Sequence, residues 1–262
     1  MATALERGLS ILETLAGAEN GRPLHEIADS LGMPRSAAHR LLAELSSSGY
    51  VHQDGELGNY VLGLKLVSLG LQHLEAIDLV GLSRPVLEKL AQDTAELVRL
   101  AIVDGDDMVW VSTQQGARSG LRYDPDSGST VALSCSATGF AWMAHIPEEL
   151  ALQKILRQGI AQRADHGPNA PETIDEIRSE LVKTRERGYA IAIDTNSLGI
   201  ASVAAPVYVG TDVAGSLSVA GPTPRMTADR LTALAPRLLS ATEQITKILE
   251  AGDGRLRVAA YS

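Results

Sequence analysis

Between Pro34 and Ser48 the chain reads PRSAAHRLLAELSSS, and its opening turns hold Arg35, Ser36, His39 and Arg40. His39 follows Arg35 by four residues, so on a helix both rise from one face, with Arg40 beside them. Guanidinium and hydroxyl groups at the start of a helix suit a duplex groove: arginine meets guanine edges or phosphates, and serine meets either. The N–H groups of that first turn also attract anions. Ala37 is small and permits close approach. Glu44, the acid of this stretch, comes late. A chain of formal charge −9 thus still presents positive charge here. That net charge argues against non-specific polyanion binding by the molecule as a whole. The plain alternative is an amphipathic helix whose solvent face happens to carry two arginines; the surrounding elements tell the two apart.

Residues 4–16 place Leu5, Leu9, Leu12 and Leu15 at helical spacing. After a Gly- and Pro-containing loop, residues 24–31 form a short helix with Leu24, Ile27, Ala28 and Leu31 on one face and Gly32 as its cap. Gly32, Met33 and Pro34 make a turn of the length a helix-turn-helix requires, with Pro34 at the first position of the next helix. Ala38, Leu41, Leu42 and Leu45 are that helix's apolar face. Short alternating runs then flank DGELG, which reads as a hairpin. Three helices and a hairpin make a winged helix-turn-helix over residues 1–63. The wing holds Asp54 and Glu56 and no Lys or Arg, so the wing is expected to supply little affinity and the helix from Pro34 most of it. Residues 64–80 are a linker helix with an apolar stripe of Leu64, Val67, Leu71 and Leu74, suited to packing on a partner.

Residues 81–252 form a second domain. A helix is expected at 82–95 with Pro85 in its first turn. Strands follow at 97–103, 108–113 and 120–124. The segment 131–146 changes from alternation to helical spacing. Helices at 148–158 and 173–187, the latter closed by Gly188, precede strands at 189–193, 201–209 and 213–221. A long helix runs from Thr227 to about Glu250, and Pro236 should kink or break it. Residues 253–262 read as a flexible tail. The order implies an α+β fold, an antiparallel sheet covered by helices.

With 262 residues, 45% of them apolar, the chain can bury a core. Cys135 is the single cysteine, which excludes an intrachain disulfide and a Cys-rich metal cluster. A nucleophilic cysteine needs a nearby base. His145 lies ten residues on, with no orienting acid evident. No G-x-S-x-G, H-E-x-x-H, phosphate-binding or dinucleotide-binding motif occurs. We therefore expect no catalytic residue, no metal site and no cofactor. No apolar run spans a bilayer and no leader precedes the first helix; a cytoplasmic location without membrane contact is expected.

Taken together, ALERGLSILETL, LHEIADSLGMPRSAAHRLLAELSSSGYV and NYVLGLKLVSLG resemble the amino-terminal domain of the IclR family of bacterial transcriptional regulators. VALSCSATGFAWMA, ERGYAIAIDTNSLGIASVAAPV and AGSLSVAGPTPRMT resemble that family's pocket segments. The resemblance runs in order over roughly residues 4–250. It implies a winged helix joined by a linker helix to a GAF-like α/β effector domain. It also implies a homodimer or tetramer on palindromic double-stranded operators, and a repressor of a catabolic operon that senses a small organic acid or aromatic catabolite. DNA contacts would come from Arg35, Ser36, Ala37, His39 and Arg40. The effector would meet Gly120, Tyr123, Val131, Ser134, Cys135, Ser136, Ala137, Thr138, Gly139, Asp194, Ser202 and Ser218. Ala132, Ser134 and Phe140 stand where the family commonly has Pro, His and Lys, and Ala192 or Ile193 where an acid is usual. With Trp142 nearby, these departures point to a larger or more apolar ligand; the plainer reading makes Phe140 and Trp142 core aromatics. The alternative of another class is a small-molecule-binding protein or Cys-dependent enzyme whose first domain only mediates association.

Overall fold

Apolar spacing and cap chemistry set the first elements of the computed structural model, which describes residues 2–55, 58–77, 79–123 and 129–251. The chain divides into two units, Met1–Ala76 and Ile77–Ser262.

In the first unit α1 (Ala4–Ala16) opens on a capping box, in which Thr3 and Glu6 satisfy each other's backbone N–H groups. α2 (Leu24–Ser30) and α3 (Arg35–Ser47) follow. Between them Gly32 adopts φ +57° and Met33 turns into the core. Pro34 is the N-cap, with ψ 137°, and the helix begins at Arg35. This corrects the expectation that Pro34 is the first helical residue: its extended ψ places it outside, and its carbonyl accepts from the N–H groups of Ala37 and Ala38. β1 (Val51–Gln53) and β2 (Tyr60–Leu62) pair antiparallel, Val51 opposite Leu62. At the wing, Asp54 and Asn59 are joined by a backbone bond of 2.7 Å; Glu56 lies outside the described residues. Ile11, Leu15, Ile27, Ala28, Leu42 and Val51 form the core. The leucine stripe of α1 is divided. Leu15 is buried, but Leu5 and Leu9 are 72% and 50% exposed, and Gly8 and Ile11 complete the inward face. The apolar residues of α1 span more than one side, and the core covers one. α4 (Leu64–Ile77) carries the chain to the boundary at Ala76.

In the second unit α5 (Leu79–Thr94) starts before residue 82, so Pro85 lies inside the helix and not in its first turn. Leu87 and Leu90 hold it on the sheet, which offsets the bond that the missing N–H forgoes. The sheet is formed by β3 (Leu97–Asp104), β4 (Asp107–Gln115), β5 (Ala190–Ile193), β6 (Ile200–Val209) and β7 (Asp212–Pro222). Its order is β4-β3-β7-β6-β5, and every neighbouring pair is antiparallel. No strand forms over 120–123, where Gly120 takes φ +77°. The rest of the expected 120–124 strand, and most of the turn that follows it, lie outside the described residues.

Strand alternation divides the core by face. Val98, Leu100, Val203, Leu217 and Val219 meet α5 and α9 (Ala228–Ala251) on one side. Ala101, Val103, Ala192 and Ala204 share the other side with α6 (Ala137–Met143), α7 (Glu148–Gln158) and α8 (Ile174–Arg187). α8 begins on a Thr173–Glu176 capping box and ends at Gly188 with φ +76°. α9 runs unbroken through Pro236, because Leu231, Leu234, Leu238 and Ile245 anchor it on both sides of the proline. The proposed tail, 253–262, lies outside the described residues.

Candidate functional site

On α3, Ala38, Leu41 and Leu42 face the core. Arg35, Ser36, His39 and Arg40 are all exposed and Ala37 is half-buried. No acid occupies the helix's first turn. The helix therefore offers water a cationic, hydroxyl-bearing face next to the turn at Gly32 to Pro34.

In the second unit a cavity of about 140 Å³ opens on the α6 side of the sheet. Arg99, Ser218, Ala192, Ser202 and Ala220 form its floor and belong to two rows of cross-strand partners. Arg99 pairs with Ser218 and Ser218 with Ala204. One step along, Ala192 pairs with Ser202 and Ser202 with Ala220. Period-2 alternation turns Ser202, Ser218 and Arg99 to the same face. Ser129 to Ala132, Ser136 and Thr138 close one side, Thr195, Asn196 and Ile200 another, and Trp110 and Tyr123 a third.

Arg99 is only 5% exposed. Its guanidinium carbon stands 3.7 Å from the centre of the Trp110 ring. Burial lowers its pKa to about 10, while the nearby Tyr123 pulls it back up; it remains a cation at neutral pH. Burial raises the Tyr123 hydroxyl above its ordinary value, and Arg99 opposes that rise. Tyr123 is held from behind. Gln115 Nε2 donates to its carbonyl at 2.9 Å, and Arg225 donates to the Leu121 carbonyl at 2.6 Å. Arg225 is itself paired with the buried Glu96 at 2.7 Å.

The expected effector residues fall into two groups. Tyr123, Val131, Ser136, Thr138, Ser202 and Ser218 line the cavity. The others hold the loops around it. Ser134 Oγ accepts from the Ala161 N–H at 2.9 Å. Cys135 Sγ donates to Asn196 Oδ1 at 3.5 Å, and Thr195 Oγ1 donates to the Cys135 carbonyl at 2.5 Å. Asp194, at φ +52°, accepts the Gly199 N–H at 2.6 Å. Ala137 is buried at the start of α6, after Ser136, whose Oγ accepts from Gly139 N. Gly139 lies so close to the preceding loop that a Cβ there would be 2.6 Å from the Ala132 carbonyl oxygen. Gly120 turns the segment leading to Tyr123. Phe140 and Trp142 are fully buried in the core and do not line this cavity, so they do not enlarge it for an apolar ligand.

Sequence reasoning missed Arg99 and Trp110, together with Thr195 and Asn196. For Arg99 a signal existed: a lone charge at an inward position of LVRLAIV, in a strand otherwise apolar. Cys135 sits in a setting that opposes nucleophilic chemistry, since burial pushes its thiol up to about 12. Among the described residues no group of three or more His, Cys, Asp or Glu could hold a metal ion. No helix among them is long and apolar enough to cross a membrane.

Two family models match the chain: the IclR helix-turn-helix domain over residues 4–55, and the bacterial transcriptional regulator IclR C-terminal domain over 71–247. The acetate operon repressor of Salmonella typhimurium is 30% identical over 245 residues, which are 93% of this chain and 88% of that protein. The solved structure of an IclR transcriptional regulator from Alicyclobacillus acidocaldarius superposes with a TM-score of 0.81 at 22% identity, covering 95% of this chain and 99% of that one. That of an IclR homologue from Microbacterium hydrocarbonoxydans complexed with 4-hydroxybenzoate gives 0.79 at 22% identity, covering 95% and 100%. At that identity the two structures speak for the fold.

Proposed function

The chain belongs to the IclR family of bacterial transcriptional regulators, and on that premise we propose a repressor of a catabolic operon that releases or tightens on its operator when a metabolite fills the second unit's cavity. Residues 1–63 bind DNA, 64–80 link, and 81–252 bind the effector and oligomerise. The protein works in the cytoplasm. The effector is a small organic acid or an aromatic metabolite; the complex of a fold relative with 4-hydroxybenzoate supports that range.

One observation carries the DNA-binding reading. α3 buries Ala38, Leu41 and Leu42 and leaves Arg35, Ser36, His39 and Arg40 exposed at its N-terminal end. In a helix-turn-helix that end meets base edges in the major groove. The assembly is a homodimer, or a tetramer of two such dimers, on a palindrome. Leu5 and Leu9 on α1, and Leu64, Val67 and Leu71 on α4, are large apolar side chains left in water. Such stripes are expected where a second copy packs. Two α3 helices of a dimer must match half-sites about 34 Å apart. A ligand that favours one spacing shifts the population toward or away from the bound form.

A gel-shift with DNA from beside the protein's own gene tests this. Specific retardation is expected that survives non-specific competitor and changes with cell extract. A folded, dimeric preparation that retards none of the flanking DNA, with or without extract, overturns it.

A further inference from the structure

On the reading that two copies of the chain grip a palindrome, we propose that Lys65 is the positioning residue that sets which half-site spacing the protein accepts. It does so by fixing the direction of the linker helix α4 relative to the DNA-reading helix α3.

After the hairpin the chain comes back to the end of α3. Gly63 is buried, and its N–H donates to the Tyr50 carbonyl at 2.7 Å. A Cβ at Gly63 would be 2.4 Å from the Gly49 carbonyl oxygen, so this approach requires glycine. The first turn of α4 is thereby brought against the end of α3. A single backbone bond is a pivot, however: it fixes a point and not a direction. Lys65 supplies a second point. Its Nζ donates to the Ser48 carbonyl at 2.8 Å and lies 4.6 Å from the centre of the Tyr50 ring. Ser48 is the C-cap of α3, and its carbonyl is among those that a helix end leaves without an intrahelical partner. α3 has no basic residue in its own last turn, so the cation that its C-terminal dipole favours comes from α4. The Tyr50 ring attracts the same ammonium from a second side.

The start of α4 thus faces two ways. Leu64, Val67 and Leu71 stand in water, on the side where a second copy is proposed to pack. Lys65 follows Leu64 directly, so it points about 100° away around the helix, back to α3. Packing of two α4 helices would then set the two α3 helices through Lys65. Each added base pair moves a half-site by about 3.4 Å and about 35° around the duplex. An α3 helix held at two points matches one spacing, and one held on a pivot matches several.

The test uses the full-length protein and synthetic duplexes carrying two copies of a half-site, itself obtained by selection from random DNA. The copies are set at the selected spacing and with one, two or five base pairs inserted, and fluorescence anisotropy gives the affinities. Wild type should bind the selected spacing at least about tenfold tighter than the two-base-pair insertion, and in Lys65→Met that ratio should fall to about threefold or less. Lys65→Arg keeps the charge and the stacking and should restore most of the ratio. The ratio is taken within each protein, so it does not depend on the fraction of a variant that folds. Wild type indifferent to spacing, an unchanged ratio in Lys65→Met, or the same loss of affinity at every spacing overturns the proposal. A uniform loss with the salt slope lowered by about one also overturns it, because it makes Lys65 a phosphate contact. Wild type that selects no half-site overturns the DNA-binding reading itself, a failure distinct from a spacing ratio that Lys65 does not move.

Discussion

Arg35 and Arg40 stand in water on α3, whereas Arg99 lies 5% exposed against a tryptophan inside a five-stranded sheet. The same side chain stands in two opposite electrostatic settings. An exposed guanidinium keeps its hydration until DNA arrives and acts over a distance limited by salt screening. A buried one is already desolvated and oriented, so its effect depends on geometry and little on ionic strength. The structural support differs accordingly. α3 needs only a packed underside to display its charges. Arg99 needs paired strands, the Trp110 ring and a Tyr123 segment held by Arg225 and Glu96.

The contrast is sharpest in DNA binding. Arg35→Ala with Arg40→Ala should lower operator affinity by about 1–3 kcal/mol for each arginine that reads a base edge, and reduce the salt slope by about one for each that neutralises a phosphate. Effector affinity should stay unchanged. Fluorescence anisotropy at several salt concentrations checks this, and unchanged affinity with an unchanged slope would break the comparison on the α3 side. Next in size is Leu42→Ala. Leu42 is fully buried beneath those arginines, and the cavity left should cost about 2–5 kcal/mol. In urea titrations the first unit should unfold earlier while the second keeps its midpoint.

Gly139→Ala examines the other region. The added methyl would approach the Ala132 carbonyl oxygen at 2.6 Å and Leu133 Cα at 2.7 Å, both backbone atoms that cannot rotate away. Overpacking of this kind costs about 1–3 kcal/mol, and it displaces the loop that walls the cavity. Effector affinity should fall and operator affinity without effector should hold; the reverse pattern would count against the division of roles. The smallest effect concerns pH. His145 Nδ1 donates to the Ala141 carbonyl at 2.8 Å, and its ring meets Tyr208 edge-on. Burial lowers its pKa, the Ala141 carbonyl opposes that shift, and Arg185 adds to it. A folded-state pKa below the unfolded value near 6.5 means the contribution is complete above that value and is lost as pH falls through the folded pKa. Calorimetry from pH about 7.5 to 5 should show the second unit losing stability, with a flatter profile in His145→Gln. Equal slopes in the two proteins would show that other groups carry the dependence.

Much of this architecture is legible in local chemistry. The α8 helix is signalled by Thr173, Glu176 and Gly188, and the hairpin by apolar runs around DGELG. Two prolines mislead for one reason: Pro85 and Pro236 both lie inside helices, because packing against the sheet outweighs a single missing N–H. Leu5 and Leu9 mislead for another. Periodicity reports that a stripe exists and does not report which part of it is covered.

Residue order by itself determined the helix and strand periods, the tight turn before Arg35 and the placement of arginines on the outer face of α3, since all of these follow from interactions within a few residues. The cavity was decided only by tertiary structure. Arg99, Tyr123, Ser136, Asn196 and Ser218 are scattered over more than a hundred positions, and the register that sets Arg99 opposite Ser218 is non-local. No periodicity encodes which rows of a five-stranded sheet will be left open beside α6. That follows from how all the side chains pack at once.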